Sequence, residues 1–160
     1  MLKYIGFFIL SFAIFSLGAE YSKREKKGAL LSGEFLRFCT YAKGEIFNLL
    51  KTVREIARDF RSETLTECGF LPHVTDGEGL CESFSALRGI PLDDVERELL
   101  VKIFSSLTSL DASYGIAEAD GRIEELRAYV SEKEKRCTSN VKLARTLTAT
   151  ACVGFLLLLI

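Results

Sequence analysis

The sequence predicts an all-α helical bundle whose N-terminal and C-terminal transmembrane helices are continuous with long bundle helices. Three observations carry this. Charge is segregated: roughly the first 20 and last 15 residues are almost free of it, while the middle is crowded with Lys, Arg, Asp and Glu. Apolar residues in the middle recur at alternating steps of three and four, the period of one helix face. No strand-like alternation longer than a few residues interrupts this, and only two Pro are present. The expected organisation is an N-terminal transmembrane helix over residues 1–20, a helical domain over 21–142 and a C-terminal transmembrane helix over 143–160.

The first element is Tyr4 to Ala19, sixteen residues without a charge. At 1.5 Å per residue it covers about 24 Å, a little short of a ~30 Å hydrocarbon core, and snorkelling of Lys3 and Lys23 closes the gap. A cleaved secretory signal is the rival reading, with Lys3 as its basic start and Ser16, Gly18 and Ala19 beside a cleavage point. From Glu34 onward, Phe35, Cys39, Ala42, Ile46, Leu49, Val53, Ile56 and Phe60 form one helical stripe. Gly69, Pro72, Gly77 and Gly79 then punctuate a less regular stretch, and Leu80 to Leu87 fits a short helix. Asp93, three residues before Glu96, predicts a capping box that opens a helix with Val95, Leu99, Ile103 and Leu107 on one face.

A last helix is expected from Asp111, with a stripe of Ile116, Ala119, Ile123, Leu126, Val130, Cys137 and Val141 that Lys133 interrupts. It runs without a breaker into Thr146 to Ile160, and Phe155 to Ile160 is apolar on every face, as a bilayer helix is. Lys23, Arg24, Lys26 and Lys27 follow the first span; Lys133, Lys135, Arg136, Lys142 and Arg145 precede the second. Both clusters lie on the inner flank of their span, so the positive-inside rule places the middle in the cytoplasm and both termini outside. Each basic collar also attracts anionic membrane lipid.

The near balance of 21 Lys plus Arg against 22 Asp plus Glu gives no basic excess for nucleic acid. Cys39, Cys68, Cys81, Cys137 and Cys152 contain no C-x-x-C pair, which argues against a zinc site or a disulfide framework. His73 is the only histidine, in a loop between Pro and Gly. Gly77-Glu78-Gly79 lacks the continuation of a phosphate loop. Asp93-Asp94 and Glu124-Glu125 suit a helix start and a helix surface, and no base is placed to activate a Ser or Thr. The expectation is no enzyme, no catalytic residue, no cofactor or metal, and no small-molecule substrate.

The layout resembles the stage III sporulation protein AB family of endospore-forming bacteria. Leu107-Thr108-Ser109-Leu110-Asp111 is similar to the family's L-G-x-x-D pattern, with Thr108 in place of the glycine. Lys142, Arg145, Thr146 and Leu147 follow its K-x-x-R/K-S-L-G segment, with Thr148 in place of the second glycine. Glu45-Ile46 resembles an E-I pair on the first long helix, and Gly115 stands where the family has glutamine. The resemblance implies a fold similar to the cytoplasmic domain of type II secretion platform proteins. It also implies a role without catalysis in the complex linking mother cell and forespore, in the mother-cell membrane. The implied partners are a cytoplasmic secretion-type ATPase and other stage III sporulation proteins, with Glu45 and Asp111 as candidate contacts. Two other readings stand beside it. One is a generic membrane-anchored coiled-coil scaffold, its stripes pairing between chains; the other is an exported protein retained by its C-terminal tail.

Overall fold

A computed structural model describes residues 2–109 and 112–157, with the side chains of all of these except 2–11, 14, 112–114, 116, 145 and 151–157. The protein is an all-α bundle. Its frame is a pair of long helices, α1 (Leu2–Leu49) and α7 (Ala112–Leu157), about 72 Å and 69 Å in length. They run antiparallel: Gly18 of α1 faces Thr148 of α7, Ser32 faces Lys133, and Lys43 faces Asp120. Five shorter helices, α2 (Val53–Asp59), α3 (Glu63–Glu67), α4 (Phe70–Asp76), α5 (Leu80–Ala86) and α6 (Asp94–Leu107), complete the half of the pair remote from the chain ends.

The core forms where α1, α6 and α7 meet. Leu31, Phe35, Phe38, Cys39 and Ala42 of α1, with Ala119, Ile123, Leu126 and Val130 of α7, are buried against Leu99, Leu100, Ile103 and Phe104 of α6. Aromatic rings fill its centre. Phe35 and Phe38 each meet Phe70 edge-on, at 5.1 and 5.2 Å, and Phe70 stacks on Phe104 at 5.5 Å. Such pairs add about 0.5–1.5 kcal/mol each beyond the area they bury.

The stripe expected over Phe35 to Phe60 is one helix in sequence and two in the structure. The chain turns at Leu50, whose φ is 54°, and the Lys51 amide donates back to the Glu45 carbonyl. Thr52 then opens α2 with a complete capping box to Glu55. Leu49, expected in the stripe, is consequently exposed. The stretch from Arg61 to Gly79, expected to be irregular, holds α3, capped by Ser62, and α4. Pro72 sits in the first turn of α4, where its missing N–H has no helical partner to lose. Gly69 before it has a φ of 89°, open to glycine.

The start of α6 is half of what its sequence predicts. Asp93 Oδ1 accepts from the Glu96 amide at 3.0 Å, but the Glu96 side chain does not return to Asp93. It turns inward, and the buried face of α6 is Glu96, Leu99, Leu100, Ile103, Phe104 and Leu107. Val95, expected on that face, is exposed.

Helix α1 passes residue 20 and α7 passes residue 142 without a break, so the expected ends are continuous in backbone with the bundle helices. Among the described residues no helix is long and apolar enough to cross a membrane. Most side chains of both expected spans, Phe155 to Ile160 among them, lie outside the described residues, as do Leu110 and Asp111 and hence the expected start of the last helix.

Candidate functional site

Because α1 and α7 are antiparallel, both chain ends leave the bundle together and form a two-helix neck. The pairs Gly18–Thr148 and Ser32–Lys133 set the register, which brings Lys142 level with Arg24. Lys23, Arg24, Lys26 and Lys27 of one flank and Lys142 of the other therefore make a single collar. Lys23, Arg24, Lys26, Lys27 and Lys142 are exposed, and none forms an ion pair with a carboxylate among the described residues; the side chain of Arg145 lies outside them.

Just beyond the collar the two helices touch closely. A Cβ on Gly18 would stand 2.7 Å from the Thr148 hydroxyl, so this approach needs glycine or a shift of Thr148. Beside the contact lies a cavity of about 510 Å³. Phe15, Gly18, Ala19 and Ala149 give it apolar walls, Ser22 and Thr148 turn their hydroxyls onto their own helix carbonyls, and Lys23 and Lys26 stand at its bundle-side edge. A more open depression of about 550 Å³ continues from Lys26 past Leu30 and Gly33 to Glu34 and Glu134.

A second constellation lies inside the bundle. Lys133, grouped with the basic flank in the sequence, is turned into the protein instead. Its ammonium donates to Ser32 Oγ of α1 at 3.0 Å and to Glu96 Oε2 of α6, a carboxylate with no exposure to water. Glu96 Oε1 accepts no hydrogen bond. Asp93 Oδ2 stands 3.9 Å from the same ammonium and accepts from the Tyr129 hydroxyl at 2.6 Å. Burial raises the Asp93 pKa, but the Tyr129 hydroxyl, the Glu96 amide and Lys133 outweigh it and leave the carboxyl below its ordinary range. Burial and the bond to Asp93 push Tyr129 up to about 12. Three helices are thereby tied through one ammonium group. The sequence signal was the interruption itself: a charge on an apolar stripe must find a partner or leave the stripe.

At the far end of the bundle, Lys51 bridges Glu45 at 2.6 Å and Asp59 at 2.8 Å, and its pKa is raised by both carboxylates, Asp59 foremost. The candidate contact Glu45 is thus partly covered and engaged by Lys51. The other candidate contact, Asp111, lies outside the described residues.

The remaining reactive side chains stay apart. His73 faces Glu78 at 3.3 Å on the surface, and Glu124 and Glu125 pair with Arg127 and Arg122 on the outer face of α7. Cys39, Cys68, Cys81 and Cys137 are free thiols; burial pushes those of Cys39, Cys68 and Cys81 up, and the Cys152 side chain lies outside the described residues. Among the described residues no three His, Cys, Asp or Glu side chains gather as a metal would need.

Compared with known proteins, the chain matches no family model, no curated protein and no solved structure.

Proposed function

We propose that the chain is a non-enzymatic membrane platform, anchored at both ends, whose helical middle lies at the cytoplasmic face and docks other proteins. One observation carries the reading: the antiparallel register of α1 and α7 brings both ends out side by side and sets Lys142 beside Lys23, Arg24, Lys26 and Lys27 in one collar. Two spans inserted from the same side of a bilayer require that arrangement, and the positive-inside rule orients it with the bundle in the cytoplasm. In its finer form the proposal follows the sequence resemblance. The chain is then a platform subunit of the sporulation secretion-like complex between mother cell and forespore, docking a secretion-type ATPase and other stage III proteins.

Cysteine labelling tests the topology. Cys81 is partly exposed on the bundle, so a membrane-impermeant thiol reagent labels it only after the cells are opened. Labelling in intact cells overturns the orientation and favours the exported form. The finer proposal predicts a loss of spores when the gene is deleted from a spore-forming host, and a normal yield refutes it. Burial of Phe35, Cys39, Leu126 and Val130 within one chain counts against a coiled-coil scaffold, which needs those stripes for pairing between chains. Sedimentation of the detergent-solubilised chain separates the two, a monomer supporting the bundle and an elongated dimer the scaffold.

A further inference from the structure

We infer that the neck cavity is a binding site for one anionic phospholipid, its phosphate held by Lys23 and Lys26 and one acyl chain lying on Phe15, Gly18 and Ala149. This rests on the membrane reading above but goes beyond it. A collar that only attracts acidic lipid needs no cavity, whereas here a half-open cleft of about 510 Å³ lies between two helices at the collar itself.

The polarity of the cavity is directional. Toward the chain ends its described walls are a phenyl ring and small apolar residues; toward the bundle it ends at Lys23 and Lys26, about one helical turn apart on α1. Among the described residues no carboxylate lines it, and neither lysine is in an ion pair with one of them. Its two hydroxyls are committed to the Gly18 and Ala144 carbonyls, so little polar capacity remains in the walls. An occupant must therefore be apolar at one end and anionic at the other, in the same order along the neck as a lipid of the inner leaflet. Charge complementarity thus separates a phospholipid from a neutral helix of a partner, which would leave both lysines unmatched. The close contact of Gly18 with Thr148 holds the two walls at a fixed separation, so the cavity is a built gap and not a loose one.

The test uses the full chain. It is reconstituted in phosphatidylcholine vesicles with a minor fraction of phosphatidylglycerol, floated on a density gradient, then released into mild detergent for native mass spectrometry. The wild type floats and keeps one phosphatidylglycerol per chain. Lys23→Ala with Lys26→Ala floats equally but retains that lipid about thirtyfold less, given the strength of each lysine at a lipid surface. Ala19→Leu with Ala149→Leu, which fills the apolar end and keeps every charge, also loses it. Arg24→Ala with Lys27→Ala, charges of the same collar that do not line the cavity, leaves it bound. Equal loss in the Arg24/Lys27 variant reduces the effect to diffuse attraction and overturns the site. So do equal retention of phosphatidylcholine, or a lipid-free dimer showing a second chain in the groove. A wild type that does not float overturns the membrane reading and the lipid site with it, whereas a wild type that floats without retained lipid overturns the site alone.

Discussion

Lys133 of α7 holds the carboxylate of Glu96 of α6 in a position where Glu96 has no contact with water. The ammonium keeps partial access to solvent, and it spends a further bond on Ser32 of α1. A pair of this kind adds little net stability over well-packed apolar groups, because desolvation offsets the Coulomb gain. Breaking it is another matter. Lys133→Met leaves Glu96 buried and unpaired and is expected to lower stability by about 3 kcal/mol. Lys133→Met combined with Glu96→Leu removes both charges and recovers most of that loss. Chemical unfolding of the full chain in detergent, followed by circular dichroism, gives both values. A single variant as stable as the wild type would show that the pair does not hold α6.

The neighbouring Asp93–Tyr129 bond sets two pH limits. The Asp93 carboxyl is depressed in the fold, so its contribution is present above the ordinary carboxylate range near 4 and is lost as pH falls through the folded value. Tyr129 moves the other way. Its pKa is raised to about 12, so the folded state holds its proton more tightly than the unfolded chain. That contribution is complete below the ordinary tyrosine value of about 10 and disappears as pH rises from there toward 12. Tyr129→Phe is expected to flatten the alkaline part of a stability-against-pH curve. If wild type and variant decline in parallel above pH ~10, the bond does not govern that limit.

Much of the bundle was legible because its buried faces obey a single period. The stripes Phe35–Cys39–Ala42 and Ala119–Ile123–Leu126–Val130 were visible in sequence and are buried against the core in the structure. What the sequence hid were places where one residue acts against its type. Leu50 occupies a left-handed conformation that glycine or asparagine usually fills, so no breaker marked the end of α1. Pro72 and Gly69 read as irregular chain because both are poor inside a helix, yet at its first turn they are harmless. Glu96 looked like half of a capping box, and only the approach of α7 shows why its side chain turns inward instead. The neck cavity had no signature at all, since it depends on which residues of two distant segments come level.

The turn at Leu50 yields a stabilising substitution. Its side chain is 86% exposed, so packing contributes little there, while its φ of 54° is costly for a residue bearing a Cβ. Leu50→Gly removes that strain but gives the unfolded chain more freedom, and the balance of the two favours the variant by up to about 1 kcal/mol. A higher melting temperature with an unchanged helical spectrum is the expected result. A lower one would mean that the exposed leucine makes contacts that offset the strain.

Phe104 offers the sharpest separation of the bundle from its anchor. Its ring meets Phe70 at 5.5 Å and Phe84 at 5.6 Å, with Phe35 and Phe38 at 6.5 and 6.4 Å, and it has no exposure. Truncation to Ala removes the common neighbour of four rings from three helices, a change that costs about 3–5 kcal/mol. Set against a total of about 5–15 kcal/mol for a small domain, that is a large share, and it raises the fraction of time the short helices are open by more than about a hundredfold. The neck shares none of these contacts: Gly18 and Thr148 lie far along α1 and α7 from the ring cluster. Phe104→Ala is therefore expected to remain in the membrane fraction while limited proteolysis now cuts between α2 and α6. Phe104→Leu, which refills most of the volume, restores much of the protection. Release of Phe104→Ala from the membrane together with its loss of protection would show that bundle and anchor form one cooperative unit, and that the platform reading must treat them as such.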